Sequence, residues 1–315
     1  MPNATGEGFA EAFAPATVAN LGVGFDILGM ALREPGDTVR AEWSDQPGVT
    51  ISSIDGDNGK LSRDSAKNTA SVAAQSVLHA VGETRGVKLT ILKGLPLASG
   101  LGSSSASAVA GALAVNALLG SPLSKADLLP AALDGEEMAS GRHADNVAPC
   151  LFGGITLIYG TDASQIVQLP IPENLWLALV TPDVEVPTAK ARAALPPSIP
   201  LKQMVSQTAG VARLIDSIHR GDLYAMAAAM ESDGVIEPAR EHFMPLLPEM
   251  RSVAKAARAL GLVISGAGPT LCAVCDSETA ARKVMTAMHA TYAVAGIVSK
   301  SFVTQVASDG AKVLE

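Results

Sequence analysis

PLASGLGSSSAS, residues 96–107, decides how this chain is read. Val87–Leu92 precedes it with the alternation of a strand, and Ser103–Leu119 follows as an Ala/Val/Leu helix stopped by Gly120, Ser121 and Pro122. Gly100 and Gly102 permit a tight turn that brings backbone N–H groups close to a ligand, and Ser103, Ser104 and Ser105 fall where the helix begins. The first N–H groups of a helix lack backbone partners and carry the positive end of its dipole. The segment therefore suits an anion such as the phosphate tail of ATP, with serine hydroxyls in reach of a phosphate or Mg²⁺. The plainer alternative is a Gly/Ser loop that merely caps a core helix. The Lys-Ser or Lys-Thr of a P-loop is missing after the second glycine, and GxGxxG is missing too, so neither a P-loop enzyme nor a dinucleotide site is expected.

Composition narrows the classes around this loop. The chain has 315 residues, enough for two domains of ~150 residues each. Hydrophobic residues make up 48% and charged residues 17%, which excludes general disorder. Aromatics are 3%, so Ala, Val and Leu must fill the core. The net charge of -8, with no basic block, argues against a nucleic-acid partner. The first residues, MPNATGEGFAEAF, lack the basic and apolar regions of a signal peptide. Gly94–Ser124 carries no charge, but its Gly/Ser-rich start and small apolar residues read as a loop feeding a buried helix rather than a membrane span. With three cysteines and no disulfide scaffold, a reducing cytoplasm is expected.

Working outward, strands are expected at Phe9–Phe13, Thr38–Trp43, Ile155–Tyr159, Leu175–Val180 and Ile297–Val303, with a pair at Leu262–Ser265 and Leu271–Cys275 around GAGP. Helices are expected at Ser65–Ala80, Lys125–Ala139 (capped by Ser124), Leu201–His219, Leu223–Glu231, Pro245–Leu260 and Ser277–His289. The segment before Leu32 is too rich in Gly, Pro and Asn for a helix, and Gly141–Gly154 reads as irregular. The pattern is α+β, without the steady strand–helix alternation of a doubly wound sheet. A boundary near residue 165 divides it into an N-terminal domain, 1–165, carrying the phosphate loop, and a C-terminal domain, 166–315, that completes the substrate site.

Three segments together carry a family resemblance. PLASGLGSSSAS resembles the central motif of the GHMP kinases, the small-molecule kinases that include galactokinase, homoserine kinase and mevalonate kinase. PATVANLGVGFD (15–26) resembles their N-terminal motif and ISGAGPT (264–270) their C-terminal glycine motif, in the right order and spread over nearly the whole chain. The resemblance implies a ribosomal-protein-S5-like N-terminal domain, a ferredoxin-like C-terminal α/β sandwich, ATP and Mg²⁺ as cofactors, and a homodimer. The nucleotide would lie on Pro96, Leu97, Ala98, Ser99, Gly100, Leu101, Gly102, Ser103, Ser104 and Ser105. Asn68 is either part of the nucleotide-base region or a plain helix start.

The extended first motif, PATVANLGVGFDILGMAL, and HADNVAPCLFGG (143–154) resemble the homoserine kinase form of the family. That form implies transfer of a phosphoryl group from ATP to L-homoserine, in threonine biosynthesis. Asn20, Asp26, Asn146 and Gly266 would surround the substrate, Asp26 holding its ammonium group. VPTAKAR (186–192) and IEPAR (236–240) would bring Arg192 and Arg240 to its carboxylate, a planar group that an arginine fork matches. Thr188 lies beside that site. Ser103 and Glu136 would hold Mg²⁺, Glu136 matching the family's acidic residue; helix neighbours lie ~100° apart, so only one of Glu136 and Glu137 can face the ion, and Glu136 is preferred. Asn146 cannot be a base at neutral pH, so no carboxylate base is expected, and Asn146 would orient the hydroxyl. The alternatives are a GHMP kinase for an isoprenoid alcohol or a sugar, which needs no amino-acid head group, and an idle nucleotide-binding relative.

Other signals are set aside. Cys272 and Cys275 have CxxC spacing but lie in an expected strand, where positions three apart point to opposite faces. The five histidines are dispersed, and neither they nor His143 are read as a catalytic base.

Overall fold

The protein is described by a computed structural model over residues 8–315. The chain start read above as leaderless, residues 1–7, lies outside them.

The chain begins with β1 (Phe9–Ala19), β2 (Leu28–Ser44) and β3 (Val49–Asp55), then α1 (Thr69–Val81), β4 (Gly86–Leu92), α2 (Ser103–Leu118), α3 (Lys125–Ser140) and α4 (Ala144–Phe152). It continues with β5 (Ile155–Ile158), β6 (Ile166–Leu169), β7 (Trp176–Pro182), α5 (Thr188–Ala193), α6 (Leu201–Arg220), α7 (Leu223–Met230), α8 (Ile236–Arg240) and α9 (Leu247–Ala256). It ends with β8 (Gly261–Ile264), β9 (Leu271–Cys275), α10 (Glu278–Val294), β10 (Ser299–Thr304) and β11 (Lys312–Leu314).

Two sheets result. The larger follows the order β11-β1-β2-β4-β3, with β5 and β6 continuing beside the first half of β2. All its pairs are antiparallel except β3 with β4. The smaller is β10-β7-β9-β8, wholly antiparallel. With α9 before β8 and α10 between β9 and β10, the order of the smaller sheet is that of a ferredoxin-like βαββαβ unit. The fold is the two-part α+β arrangement expected. The larger sheet does not stop at residue 165: β6 pairs with β5, and β11 returns the C terminus to β1.

α2 is the centre of the larger domain, buried without a break from Ser105 to Asn116. A helix apolar on every face belongs inside a protein, and its Ala, Gly and Ser side chains let neighbours pack close. It is too short and too enclosed to be a span. Among the described residues no helix is long and apolar enough to cross a membrane. α3 starts on the expected Ser124 cap, which Asp127 completes as a capping box. The three cysteines are buried and free, with Cys272 in the core of the larger domain and Cys275 in that of the smaller one, as opposite strand faces require.

Three sequence readings needed correction. β1 runs on through Pro15, because β11 pairs only with Glu11–Phe13 and no neighbour on that side needs the missing N–H. β2 is seventeen residues long and spans both LGMAL and TVRAEW, with a register shift opposite Pro15/Thr17 absorbing the irregularity. The 141–154 segment is not irregular but contains α4. Pro149 cannot donate to the Asp145 carbonyl, and that carbonyl lies against Gly29, where a Cβ would come within 2.0 Å of it. Glycine at 29 is what lets α4 settle on β2.

Candidate active site

A cleft of about 460 Å³ opens between the two domains. It is lined by Asn20, Asp26, Gly266, most of the 97–104 loop, Asn68, Glu136, Asn146, Thr188, Arg192 and Arg240. Pro96, Leu101 and Ser105, expected on the nucleotide, do not line it: Leu101 and Ser105 are fully buried, the latter with its hydroxyl on Glu136.

Its floor is the N terminus of α2. Gly102 precedes the helix with φ +65°, and a Cβ there would meet Thr17 Oγ1 at 2.1 Å, so only glycine fits. No side chain caps this helix and no acidic residue stands in its first turn. Ser103 Oγ is buried and has no hydrogen-bond partner among the described residues. An uncapped sixteen-residue helix facing a cleft, with an orphaned hydroxyl at its first position, suits a phosphate group.

Behind the loop is a group that motif reading missed. Lys93 pairs with Asp37, both side chains almost wholly buried. The Lys93 ammonium also donates to the Ser103 carbonyl at 2.9 Å and to Ser107 Oγ at 2.7 Å. Asp37 in turn accepts from the N–H groups of Gly94 (3.1 Å) and Leu95 (3.2 Å) and from Ser107 Oγ (2.9 Å). A lone lysine three residues before a glycine loop carries no motif, and its partner lies 56 positions away.

Glu136 is 3% exposed and accepts from Ser104 Oγ (3.0 Å), Ser105 Oγ (2.8 Å) and Ser140 Oγ. Burial pushes its pKa up, and the three hydroxyls oppose that shift. Glu137 points outward to Arg142 at 3.2 Å. No three His, Cys, Asp or Glu side chains converge on a metal position among the described residues. One carboxylate beside a phosphate cradle is nevertheless a normal setting for Mg²⁺, which takes much of its shell from phosphates and water. The buried Glu136 carboxylate and the orphaned Ser103 hydroxyl fit it.

On the acceptor side, Asn146 Oδ1 accepts from Thr17 Oγ1 at 2.6 Å, which leaves Nδ2 as the donor for a ligand. Asn20 donates to the Gly266 carbonyl at 2.9 Å and accepts from the Asp26 N–H at 3.1 Å, tying the first motif to the last. Asn20 and Asp26 have φ +72° and +61°, a region Asn and Asp tolerate better than most residues. Arg240 is 3% exposed and donates to Gly266 O (3.0 Å) and Ala191 O (3.3 Å). Arg192 forms a two-pronged pair with Asp26, at 2.9 and 3.0 Å. The Phe25 ring, another residue motif reading missed, lies 5.4 Å from the Arg192 guanidinium carbon and 5.1 Å from that of Arg240. Asn68 is the N-cap of α1, accepting from Ala70 N at 3.0 Å, while Nδ2 donates to Ser62 O. Thr188 opens α5 at the cleft edge.

Asp145 also lines the cleft. Burial first, then the nearby charges of Asp26 and Glu136, push its pKa up to about 7. A carboxyl raised above its unfolded pKa of ~3.9 contributes stability at low pH that is lost as pH rises through the folded value. Asp145→Asn is therefore expected to gain stability over the parent as pH goes from 4 to 8, by up to a few kcal/mol on the order of the shift. Thermal melts of both proteins across that range check this, and parallel pH curves would refute it.

Comparison with known proteins completes the picture. Residues 68–154 match the family described as GHMP kinases N terminal domain, and residues 214–294 match GHMP kinases C terminal. The chain is 38% identical to a homoserine kinase of Chloroherpeton thalassium over 314 residues, covering 96% of this chain and 98% of that protein. It is 42% identical to a homoserine kinase of Arabidopsis thaliana over 275 residues, 84% of this chain and 74% of that one. A crystal structure of homoserine kinase from Cytophaga hutchinsonii superposes with a TM-score of 0.94 at 43% identity, covering 98% of each chain.

Proposed function

We propose, for a chain that belongs to the GHMP kinase family and within it to the homoserine kinases, that its cleft transfers the γ-phosphoryl group of ATP to the side-chain hydroxyl of L-homoserine. The products are O-phospho-L-homoserine and ADP, a step of threonine biosynthesis. The observation that carries this reading is one cleft holding both an uncapped helix N terminus and an acid–arginine head-group site.

The N-terminal backbone N–H groups of α2, beginning at Ser103 and Ser104, would take the phosphate chain, with Leu97–Gly100 and Gly102 shaping its bed. Ser103 and Glu136 would hold Mg²⁺. When bound, that ion supplies charge neutralisation on the phosphates. Phosphoryl transfer asks the protein mainly for positioning and electrostatic stabilisation. Arg192 and Arg240 take the substrate carboxylate, Asp26 its ammonium group, and Thr188 stands at the edge of that pocket. Asn146, its oxygen held by Thr17, donates from Nδ2 and orients the attacking hydroxyl oxygen. The hydroxyl proton leaves late, to phosphate or solvent.

A carboxylate base is the competing reading, favoured by the place of Asp145 in the cleft and its pKa of about 7. Asp145→Asn is expected to keep kcat within about tenfold; a loss of the 10²–10⁴-fold typical of a removed general base would make Asp145 that base. The homodimer of this reading rests on the family alone, and the cytoplasmic setting on the cysteine content.

ADP release with Mg·ATP tests the reaction, comparing L-homoserine with mevalonate, galactose and no acceptor. A response to L-homoserine alone, with O-phospho-L-homoserine recovered, is expected. A response to mevalonate or galactose would replace the acceptor, and ATP binding without any response would point to an idle relative.

A further inference from the structure

The two side chains assigned to opposite charges of the substrate hold each other. Asp26 lies in the loop after β1, and Arg192 on α5, 166 positions later. Both guanidinium Nη atoms reach the carboxylate, one to each oxygen, at 2.9 and 3.0 Å. Arg192 Nε is buried without a hydrogen-bond partner among the described residues. The pair is partly buried, the two side chains keeping 36% and 29% of their exposure, and both face the cleft. Around it stand Arg240, Asp145, His143 and the Phe25 ring. Arg240 donates from Nε and one Nη to two backbone carbonyls and does not pair with Asp26.

We propose that the acceptor enters by ion-pair exchange: its ammonium replaces Arg192 on Asp26 while its carboxylate replaces Asp26 on Arg192. The site thereby selects zwitterionic α-amino acids and rejects ligands that carry either charge alone. The inference rests on the amino-acid reading of this pocket and deepens it. Opening one two-pronged pair and forming two new ones leaves every charge matched, but only for a ligand that brings both charges. A ligand with a carboxylate alone frees Asp26 to stand uncompensated in a half-buried pocket, and one with an ammonium alone does the same to Arg192. Stranding one member of such a pair costs more than the pair itself contributed. Discrimination by an imposed unpaired charge is steeper than the loss of one ligand contact.

The consequence is counter-intuitive and measurable: removing a substrate-binding acid improves binding of a crippled substrate. Calorimetric titration at pH 8 is made with the parent and with Asp26→Asn, using L-homoserine and 4-hydroxybutyrate, which lacks the ammonium group. Asn also suits the positive φ at 26, so the variant keeps the loop. L-Homoserine is expected to bind at least about tenfold more weakly to the variant, and 4-hydroxybutyrate about tenfold more tightly, one matched charge in each case. Asp145→Asn controls for the loss of a nearby carboxylate that does not pair with Arg192; it is expected to shift 4-hydroxybutyrate less than threefold. Arg192→Gln with L-homoserine amide is the mirror experiment, and its binding should tighten too. Unchanged or weaker 4-hydroxybutyrate binding to Asp26→Asn, or an equal gain from Asp145→Asn, overturns the exchange while leaving the homoserine reading standing. Failure of the parent to bind L-homoserine at all overturns both.

Discussion

Glu136→Gln is expected to lower Mg²⁺-dependent turnover by at least about a hundredfold, while Glu137→Gln leaves it within about twofold. The contrast follows from one turn of α3. Glu136 is 3% exposed and held by the hydroxyls of Ser104, Ser105 and Ser140 beside the phosphate cradle, whereas Glu137 is exposed and paired with Arg142. Glutamine keeps the shape and most of the hydrogen bonding but removes the charge that would hold a divalent cation. The stability of the same variant should move the other way. Burial raises the Glu136 pKa, so its ionised form opposes folding once pH exceeds the unfolded value of ~4.3. The melting temperature of Glu136→Gln relative to the parent should therefore rise with pH from the unfolded value of ~4.3 upward to the raised folded one. An active site that loses activity and gains stability on one substitution is one whose strain serves function. Steady-state kinetics over a Mg²⁺ series, with melts of both variants, decide it; a larger kinetic loss at Glu137 would move the cation to the other face of the helix.

Lys93→Met is expected to be the most destabilising of the substitutions considered. It strands Asp37, which is fully buried, and breaking a buried pair from one side costs about 3–5 kcal/mol. For a chain of this size that is a melting-temperature loss on the order of 10 °C. The lysine also holds the Ser103 carbonyl and Ser107 Oγ, so what remains folded should show a loosened phosphate loop and a raised KM for ATP. Replacing both partners, Lys93→Met with Asp37→Leu, should recover part of the stability, because an apolar pair leaves no charge stranded. It should not recover the KM, since the Ser103 carbonyl still lacks its donor. A Lys93→Met protein that melts with the parent would remove the network from any role in the fold.

How much of this was readable from residues depends on the range of the interaction. The helix 103–118 was legible because its hydrogen bonds link residues four apart and its composition is uniform. The orientation of Glu136 over Glu137 followed from helix geometry once the family motif gave the side that matters. α4 was hidden: it is nine residues long, contains Pro149, ends on two glycines and owes its place to Gly29 on a distant strand. β2 was hidden for the converse reason. Its middle, REPGD, carries the Pro and Gly that strands avoid, yet Gly36 and Asp37 pair with β1 and the Arg33 N–H donates to the Gln305 carbonyl.

The candidate site divides in the same way. Its residue types were present in the motifs, but the role each side chain can take was not. Asn146 has a free donor because Thr17, 129 positions earlier, takes its oxygen. Asn68 caps a helix because Ser62 and Ala70 take both ends of its amide. The first has no local signal; the second is the helix-start reading that the residue type allowed, and the structure chose it over the base-region one.

By itself, then, the sequence determined the α+β class, the glycine–serine loop opening a buried helix and the family, because these depend on periodicity, turn chemistry and motifs a few residues wide. Only the tertiary structure decided that Asp26 meets Arg192 and that Lys93 is buried on Asp37. Charges attract over a few ångströms of space, and which charges come that near is fixed by sheet register and domain packing, not by their distance along the chain.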